Sequence, residues 1–240
     1  MEELSEDVRE EERGQRKFLK YTFFKVAREW RHLRADVKQK GREEFLEVVD
    51  RHSRSVGMRF YSLVGVRGDA DFMIWTITDR LEEIQSFVSD LLATWLGKYL
   101  EIPYSYLAMS KGSKYLGGHR HEGQEGATAE RSFGSSRYLF VYPFVKKREW
   151  YRLPFRERQR IMAQHFAIGH KYPRIKINTG YSFGLDDQEF VLAFEGDSPA
   201  EFLDLVEELR SSEASMYTQL ETPIFTCIAV QPAELLKQLG

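Results

Sequence analysis

The sequence predicts an α+β protein made of two ferredoxin-like βαββαβ repeats, their sheets packed into a dimeric α+β barrel type of core with the helices outside. Three observations carry this expectation. A strand-helix-strand-strand-helix-strand order can be read twice along the 240 residues. A glycine-rich, charged stretch at 112–134 separates the two readings. Residue identities also recur at a period near 120: Arg28-Glu29-Trp30 as Arg148-Glu149-Trp150, Asp71-Phe72 as Glu189-Phe190, and Pro103 as Pro223.

Taken in order, residues 1–16 are charge-dense with almost no large apolar side chain, so they cannot bury themselves and are expected to form a disordered tail. A first ferredoxin-like domain is expected over 17–111. Short runs rich in aromatic and β-branched residues predict strands at 18–26, 58–66, 72–78 and 102–109. Longer runs with apolar residues three and four apart predict helices at 33–53 and 81–95. After the linker at 112–134, a second ferredoxin-like domain over 135–240 repeats the pattern. Its strands are expected at 137–145, 175–181, 189–195 and 223–230, and its helices at 155–169 and 199–210.

Composition removes several classes of function. The 35 basic and 37 acidic residues nearly cancel, so no net field argues for nucleic acid or an anionic membrane as partner. The single cysteine, Cys227, cannot form an internal disulfide and lies in an apolar run, as expected of a reducing compartment. No apolar stretch approaches the roughly 18 to 20 residues of a membrane span, and the N-terminus is acidic where a signal peptide would be basic. A cytoplasmic protein is the expectation.

The candidate chemistry lies in the second half. In the helix at 155–169, Ile161, Met162, His165, Phe166 and Gly169 share one face, which turns His165 inward. An inward histidine is either a hydrogen-bonded core residue or a ligand, and the pattern leaves both open. In the preceding strand, Tyr138, Phe140, Tyr142 and Phe144 alternate onto one face. Such a stripe is usually core, yet two members carry hydroxyls that need a partner or a task. Lys146 and Lys147 close the strand and could bind carboxylates, although the pattern alone favours solvent. A phenol, an amine and an imidazole in one half are raw material for a redox site around a bound metal or macrocycle. His119-Arg120-His121-Glu122 resembles a metal-site fragment but lacks further ligands at metal spacing and reads as exposed loop. Gly65-Val66-Arg67-Gly68 lacks the spacing of a phosphate loop.

Six ordered motifs, Tyr142-Pro143-x-x-Lys146, Trp150-Tyr151-x-Leu153, Glu157-Arg158, Met162-x-x-His165, Ile168-Gly169-x-x-Tyr172 and Gly184-Leu185-Asp186-Asp187, together resemble the chlorite dismutase family and its coproheme decarboxylase branch. The likeness is detailed from Arg137 to Val230 and reaches the first half only as a repeat. It implies a homopentamer that binds iron coproporphyrin III or haem b, with the iron ligated by His165. The implied reaction is oxidative decarboxylation of two propionates to vinyls by hydrogen peroxide. By the same resemblance Tyr142 is a radical relay, Lys146 holds a propionate, Arg131 and Tyr115 match propionate-binding residues, and Trp150 matches a tryptophan of the cofactor pocket. Asn178 falls at the distal position, where chlorite dismutases carry arginine and decarboxylases often glutamine, so dismutation of chlorite is not expected. Phe144 stands in place of a common methionine, His170 in place of a frequent arginine, and the segment from Tyr142 to His165 is a few residues shorter. Two other classes stay open: a haem-binding carrier or weak peroxidase without decarboxylase activity, and a cofactor-free α+β barrel in which His165 is core.

Overall fold

A computed structural model describes residues 16–113, 115 and 132–240. Residues 1–15 of the expected tail and most of the expected linker lie outside the described residues. In chain order the elements are β1 (Phe18–Val26), α1 (Arg28–Arg31), α2 (Ala35–His52), β2 (Gly57–Ser62), β3 (Phe72–Thr78), α3 (Leu81–Ala93), and β4 (Leu100–Met109). The order then returns as β5 (Tyr138–Lys146), α4 (Arg148–Arg152), α5 (Phe155–Gly169), β6 (Lys176–Tyr181), β7 (Phe190–Gly196) and α6 (Pro199–Arg210). The chain closes with β8 (Thr218–Leu220), β9 (Phe225–Ala229) and α7 (Pro232–Gln238). The class is α+β with two ferredoxin-like repeats, as the sequence predicts. No helix among the described residues is long and apolar enough to cross a membrane.

The chain divides into two compact units, residues 17–107 with 226–240, and residue 16 with residues 108–225. In the first, β3 pairs antiparallel with β1, from Phe18↔Thr78 to Phe24↔Phe72, and with β2, from Gly57↔Ile77 to Ser62↔Phe72. The C-terminal segment joins this unit because Tyr61 and Ser62 pair with Ala229 and Ile228, while Leu235, Leu236 and Leu239 enter the core around Trp30, Phe45 and Phe72. In the second unit β7 pairs antiparallel with β5, from Tyr138↔Gly196 to Phe144↔Phe190, and with β6, from Lys176↔Glu195 to Tyr181↔Phe190. The short β8 pairs with the end of β5 across an irregularity between Val145 and Lys146. Helix α6 starts as its sequence dictates, with Pro199 in the first turn and the Ser198 hydroxyl accepting the Glu201 N–H at 3.2 Å.

The duplication extends to individual hydrogen bonds. Asp71 and Glu189 are both buried, and each accepts a backbone N–H at the end of its unit's first strand, from Val26 at 2.8 Å and from Lys146 at 2.9 Å. Their backbones match too: Asp71 bridges Phe24 and Leu63 as Glu189 bridges Phe144 and Ser182. Trp30 and Trp150, each in the one-turn helix that follows, are buried in the two cores. The strand expected over 58–66 ends at Ser62 for the same reason. The Leu63 N–H goes to the Asp71 carbonyl and the chain turns through Gly65 at φ +77, as it does at Gly184 at φ +73. Replacing Asp71 with alanine strands the buried Val26 N–H and should cost about 2 kcal/mol of unfolding free energy. A denaturant midpoint equal to wild type would remove that role.

Candidate functional site

The second unit encloses a cavity of about 460 Å³, within the range of roughly 300 to 1,000 Å³ that small-molecule sites occupy. Met162, His165, Phe166 and Gly169 of α5 form one wall. The sheet supplies the other: Tyr142 and Phe144 from β5, Ile177, Thr179 and Tyr181 from β6, and Phe190, Leu192 and Phe194 from β7. Strand alternation explains that list, since only every second residue can face one side of the sheet. A Cβ at Gly169 would meet only Ile177 Cδ1, at 3.8 Å, so the helix surface is bare there.

His165 turns into the cavity because the helical period puts it on the face of Ile161, which is fully buried. Its Nδ1 is buried and has no hydrogen-bond partner among the described residues. Desolvation, helped by the charge of Lys146, pushes its pKa down to about 4, so the ring is neutral at neutral pH and keeps a free lone pair. Tyr142 is 6% exposed and stacks on Phe194 with ring centroids 5.9 Å apart. Burial raises its phenol pKa, with a further push from Glu221 and a smaller opposing effect of Arg210. Its hydroxyl makes no hydrogen bond to a described residue.

Lys146 departs from the solvent placement that its pattern alone favours: it is 9% exposed, whereas Lys147 beside it is exposed. The strand irregularity and the Lys146 N–H bond to Glu189 turn the side chain under Trp150, with Nζ 4.4 Å from that ring's centroid. Burial lowers the ammonium pKa to about 8, partly countered by Glu189. No described carboxylate lies within salt-bridge distance of Nζ. Trp150 lines the cavity in an aromatic cluster with Tyr115 and Tyr217. Tyr115 also lines it, stacked on Phe155 at 5.8 Å and within 3.5 Å of Arg158 Nη1, with its phenol pKa raised by burial.

Asn178 is not at the cavity, which corrects the distal placement expected of it. It is fully buried on the opposite face of β6 from Ile177 and Thr179, and its Nδ2 donates to Glu195 Oε1 at 3.0 Å. Thr179 is the polar β6 residue that faces the cavity in its place. Arg131, His119 and His121 lie outside the described residues. Sequence reasoning missed three features of the lining: Tyr151, whose hydroxyl donates to Glu189 Oε2 at 2.5 Å; the Arg210–Glu221 ion pair at 2.5 Å; and Lys111. The recurrence of Asp71 as Glu189 was the available signal for the first, because a buried acid at the end of a repeat must have donors.

At a spacing of 120 residues the first unit has Phe45, Val26 and Thr22 where the second has His165, Lys146 and Tyr142. Phe45 and Val26 are core residues there. The imidazole, amine and phenol are therefore properties of the cavity, since the same scaffold folds without them. Among the described residues no group of three or more His, Cys, Asp or Glu could hold a metal ion, so His165 is not part of a described all-protein metal site. Aromatic walls, a single neutral imidazole with an orphaned Nδ1, and cations at the rim fit a flat, carboxylate-bearing iron macrocycle.

The family model described as chlorite dismutase matches residues 38–230. The chain is 35% identical over 180 residues to a coproheme decarboxylase of Mycolicibacterium smegmatis, covering 75% of each protein. Its fold is similar to that of a mutant chlorite dismutase from Candidatus Nitrospira defluvii, with a TM-score of 0.85 and 23% identity over 93% of this chain and 94% of that one. It is also similar to a haem-binding protein from Thermus thermophilus, with a TM-score of 0.81 and 20% identity over 93% of this chain and 95% of that one.

Proposed function

This chain belongs to the chlorite dismutase family, and on that premise we propose that it is a haem-binding oxidoreductase of the coproheme decarboxylase type, converting iron coproporphyrin III to haem b with hydrogen peroxide. The observation that carries this reading is the convergence of Tyr142, Lys146 and His165 on one cavity, with no side-chain hydrogen bond or ion pair from any of the three to a described residue. A buried amine held only by aromatic faces and a half-buried imidazole with a buried, unbonded Nδ1 are costly unless a ligand completes them.

His165 is the residue that would ligate iron, and its depressed pKa keeps it from being lost to a proton at neutral pH. When bound, the iron porphyrin supplies the peroxide-dependent oxidation that no side chain here can perform alone. Lys146 holds a propionate carboxylate as a point charge in a site from which Trp150 and Phe144 exclude water. Tyr142 gives up its hydroxyl hydrogen and then takes one from the propionate β-carbon. Each propionate loses carbon dioxide and two hydrogens to become a vinyl, and one peroxide becomes two waters. We assign Tyr115, Trp150 and Arg131 to holding the macrocycle. A homopentamer in the cytoplasm belongs to the same proposal, and a monomer mass by light scattering at micromolar concentration would overturn the assembly.

The test is to titrate the pure protein with iron coproporphyrin and with haem, add peroxide to each, and follow product mass. Stepwise loss of two carbon dioxide units supports the enzyme. A Soret band without mass loss leaves a carrier or weak peroxidase, and no Soret band leaves a cofactor-free barrel.

Two further results are expected. Below about pH 8 the free protein already carries the Lys146 charge, so affinity for iron coproporphyrin should be flat. Above that pH the lysine must first take up a proton, and affinity should fall by up to about tenfold per pH unit. Lys146→Met should abolish this slope, and a slope that persists in the variant would assign it to another group. Chlorite should yield no oxygen, because the described sheet wall presents Ile177, Thr179 and Tyr181 and no guanidinium, and the lining Arg210 is ion-paired with Glu221. Robust oxygen evolution by the haem-loaded protein would contradict this.

A further inference from the structure

Glu189 and Asp71 occupy the same place in the two repeats, but one of their partners differs in kind. Asp71 accepts from Lys25 Nζ at 3.0 Å and lies 4.0 Å from Arg31 Nη2. Glu189 lies 3.3 Å from Arg148 Nη1 and accepts the Tyr151 hydroxyl at 2.5 Å. Tyr151 stands 120 residues after Arg31, at the corresponding position. The first unit shows that cations suffice to satisfy this acid. Only the unit with the cavity has a phenol there, and that phenol lines the cavity.

Loss of an electron makes a phenol a strong acid, so its oxidation is easiest where a base already in contact takes the proton. Tyr142 has no such base among the described residues. Tyr151 has one, through a contact as short as charge-assisted O–H···O bonds become. We infer that Tyr151, with Glu189 as its proton acceptor, is a second redox-active residue of the cavity. This inference rests on reading the cavity as an iron-porphyrin site, and the role is to take up oxidising equivalents when Tyr142 has no propionate to oxidise. In the step, one electron passes from Tyr151 to the peroxide-oxidised site, the O–H bond breaks, and the proton moves to Glu189 Oε2, leaving a neutral phenoxyl. A thiol or ascorbate-type reductant returns the electron and the proton goes back. Phe183, which is 49% exposed and sits edge-on to Tyr151 with centroids 6.0 Å apart, brings that ring within reach of a reductant at the surface.

The experiment loads the protein with haem b, adds peroxide, freeze-quenches and records the electron paramagnetic resonance spectrum with ring-deuterated tyrosine. A tyrosyl signal is expected in wild type and in Tyr142→Phe, reduced at least about fivefold in Tyr151→Phe and in Glu189→Gln, which keeps an acceptor for the Lys146 N–H but cannot take the proton. An undiminished signal in Tyr151→Phe overturns the inference even if Glu189→Gln fails to fold. A second arm oxidises the porphyrin-free protein with flash-generated ruthenium(III) tris-bipyridine and compares the same variants. If no Soret band forms, the functional reading fails, and this arm still decides Tyr151 by whether its removal lowers the tyrosyl yield.

Discussion

Replacing His165 with alanine should remove the bond it would make to iron while leaving the fold intact. Losing a partner that merely orients a metal ligand costs about 10- to 100-fold in affinity, so loss of the ligand itself should weaken binding of iron coproporphyrin by at least that much and change its spin state. The apo protein should suffer little. Its Nδ1 is already buried without a partner among the described residues, so removing the ring discards an unsatisfied polar group as well as packing atoms. His165→Phe is the sharper variant, because Phe45 fills the corresponding position of the first unit. It should leave the apo protein as stable as wild type, or stabilise it by about 1 kcal/mol, and still bind no iron through the protein. Titration followed by the Soret band, beside denaturant unfolding of each apo variant, gives both readouts. A wild-type spectrum in His165→Ala would remove this residue as the ligand, and His170→Ala, at an exposed position, is the control.

Tyr142→Phe should separate binding from chemistry. The ring stays, with its stacking on Phe194, and only the hydroxyl that has no described partner is lost. Affinity for iron coproporphyrin should therefore change by less than about threefold, because no protein hydrogen bond is broken. Carbon dioxide release with peroxide should fall by about two orders of magnitude or more, the usual cost of deleting a group that moves a hydrogen in the rate-determining step. Burial keeps the phenol protonated at working pH, so it gives up its hydrogen only when oxidised and the defect should not be rescued by raising pH. Haem formation at the wild-type rate in Tyr142→Phe would make this tyrosine structural.

Much of this molecule was legible from local patterns. The strands at 18–26 and 72–78 and the helices at 155–169 and 199–210 lie where their periods predict them. Those periods also turned Tyr142 and His165 toward one space, because alternation and the helical repeat act over a few residues. The short α1 and α4, and α7 at the C-terminus, escaped because one or two turns give too little periodicity to read. The early end of β2 escaped because it depends on a bond from Leu63 to the carbonyl of Asp71, across the loop.

The sequence by itself determined the duplicated α+β order and the faces that carry the phenol and the imidazole, since each follows from spacing within one element. Tertiary structure decided which side of β6 meets the cavity. Both faces of that sheet are covered, so alternation alone could not tell Asn178, bonded to Glu195, from Thr179, which lines the site. It also decided that Lys146 is buried under Trp150, that residues 226–240 complete the first unit, and that Tyr151 meets Glu189. Each of these is a contact between residues distant in the chain, and its free energy depends on what folding brings alongside, which no local period encodes.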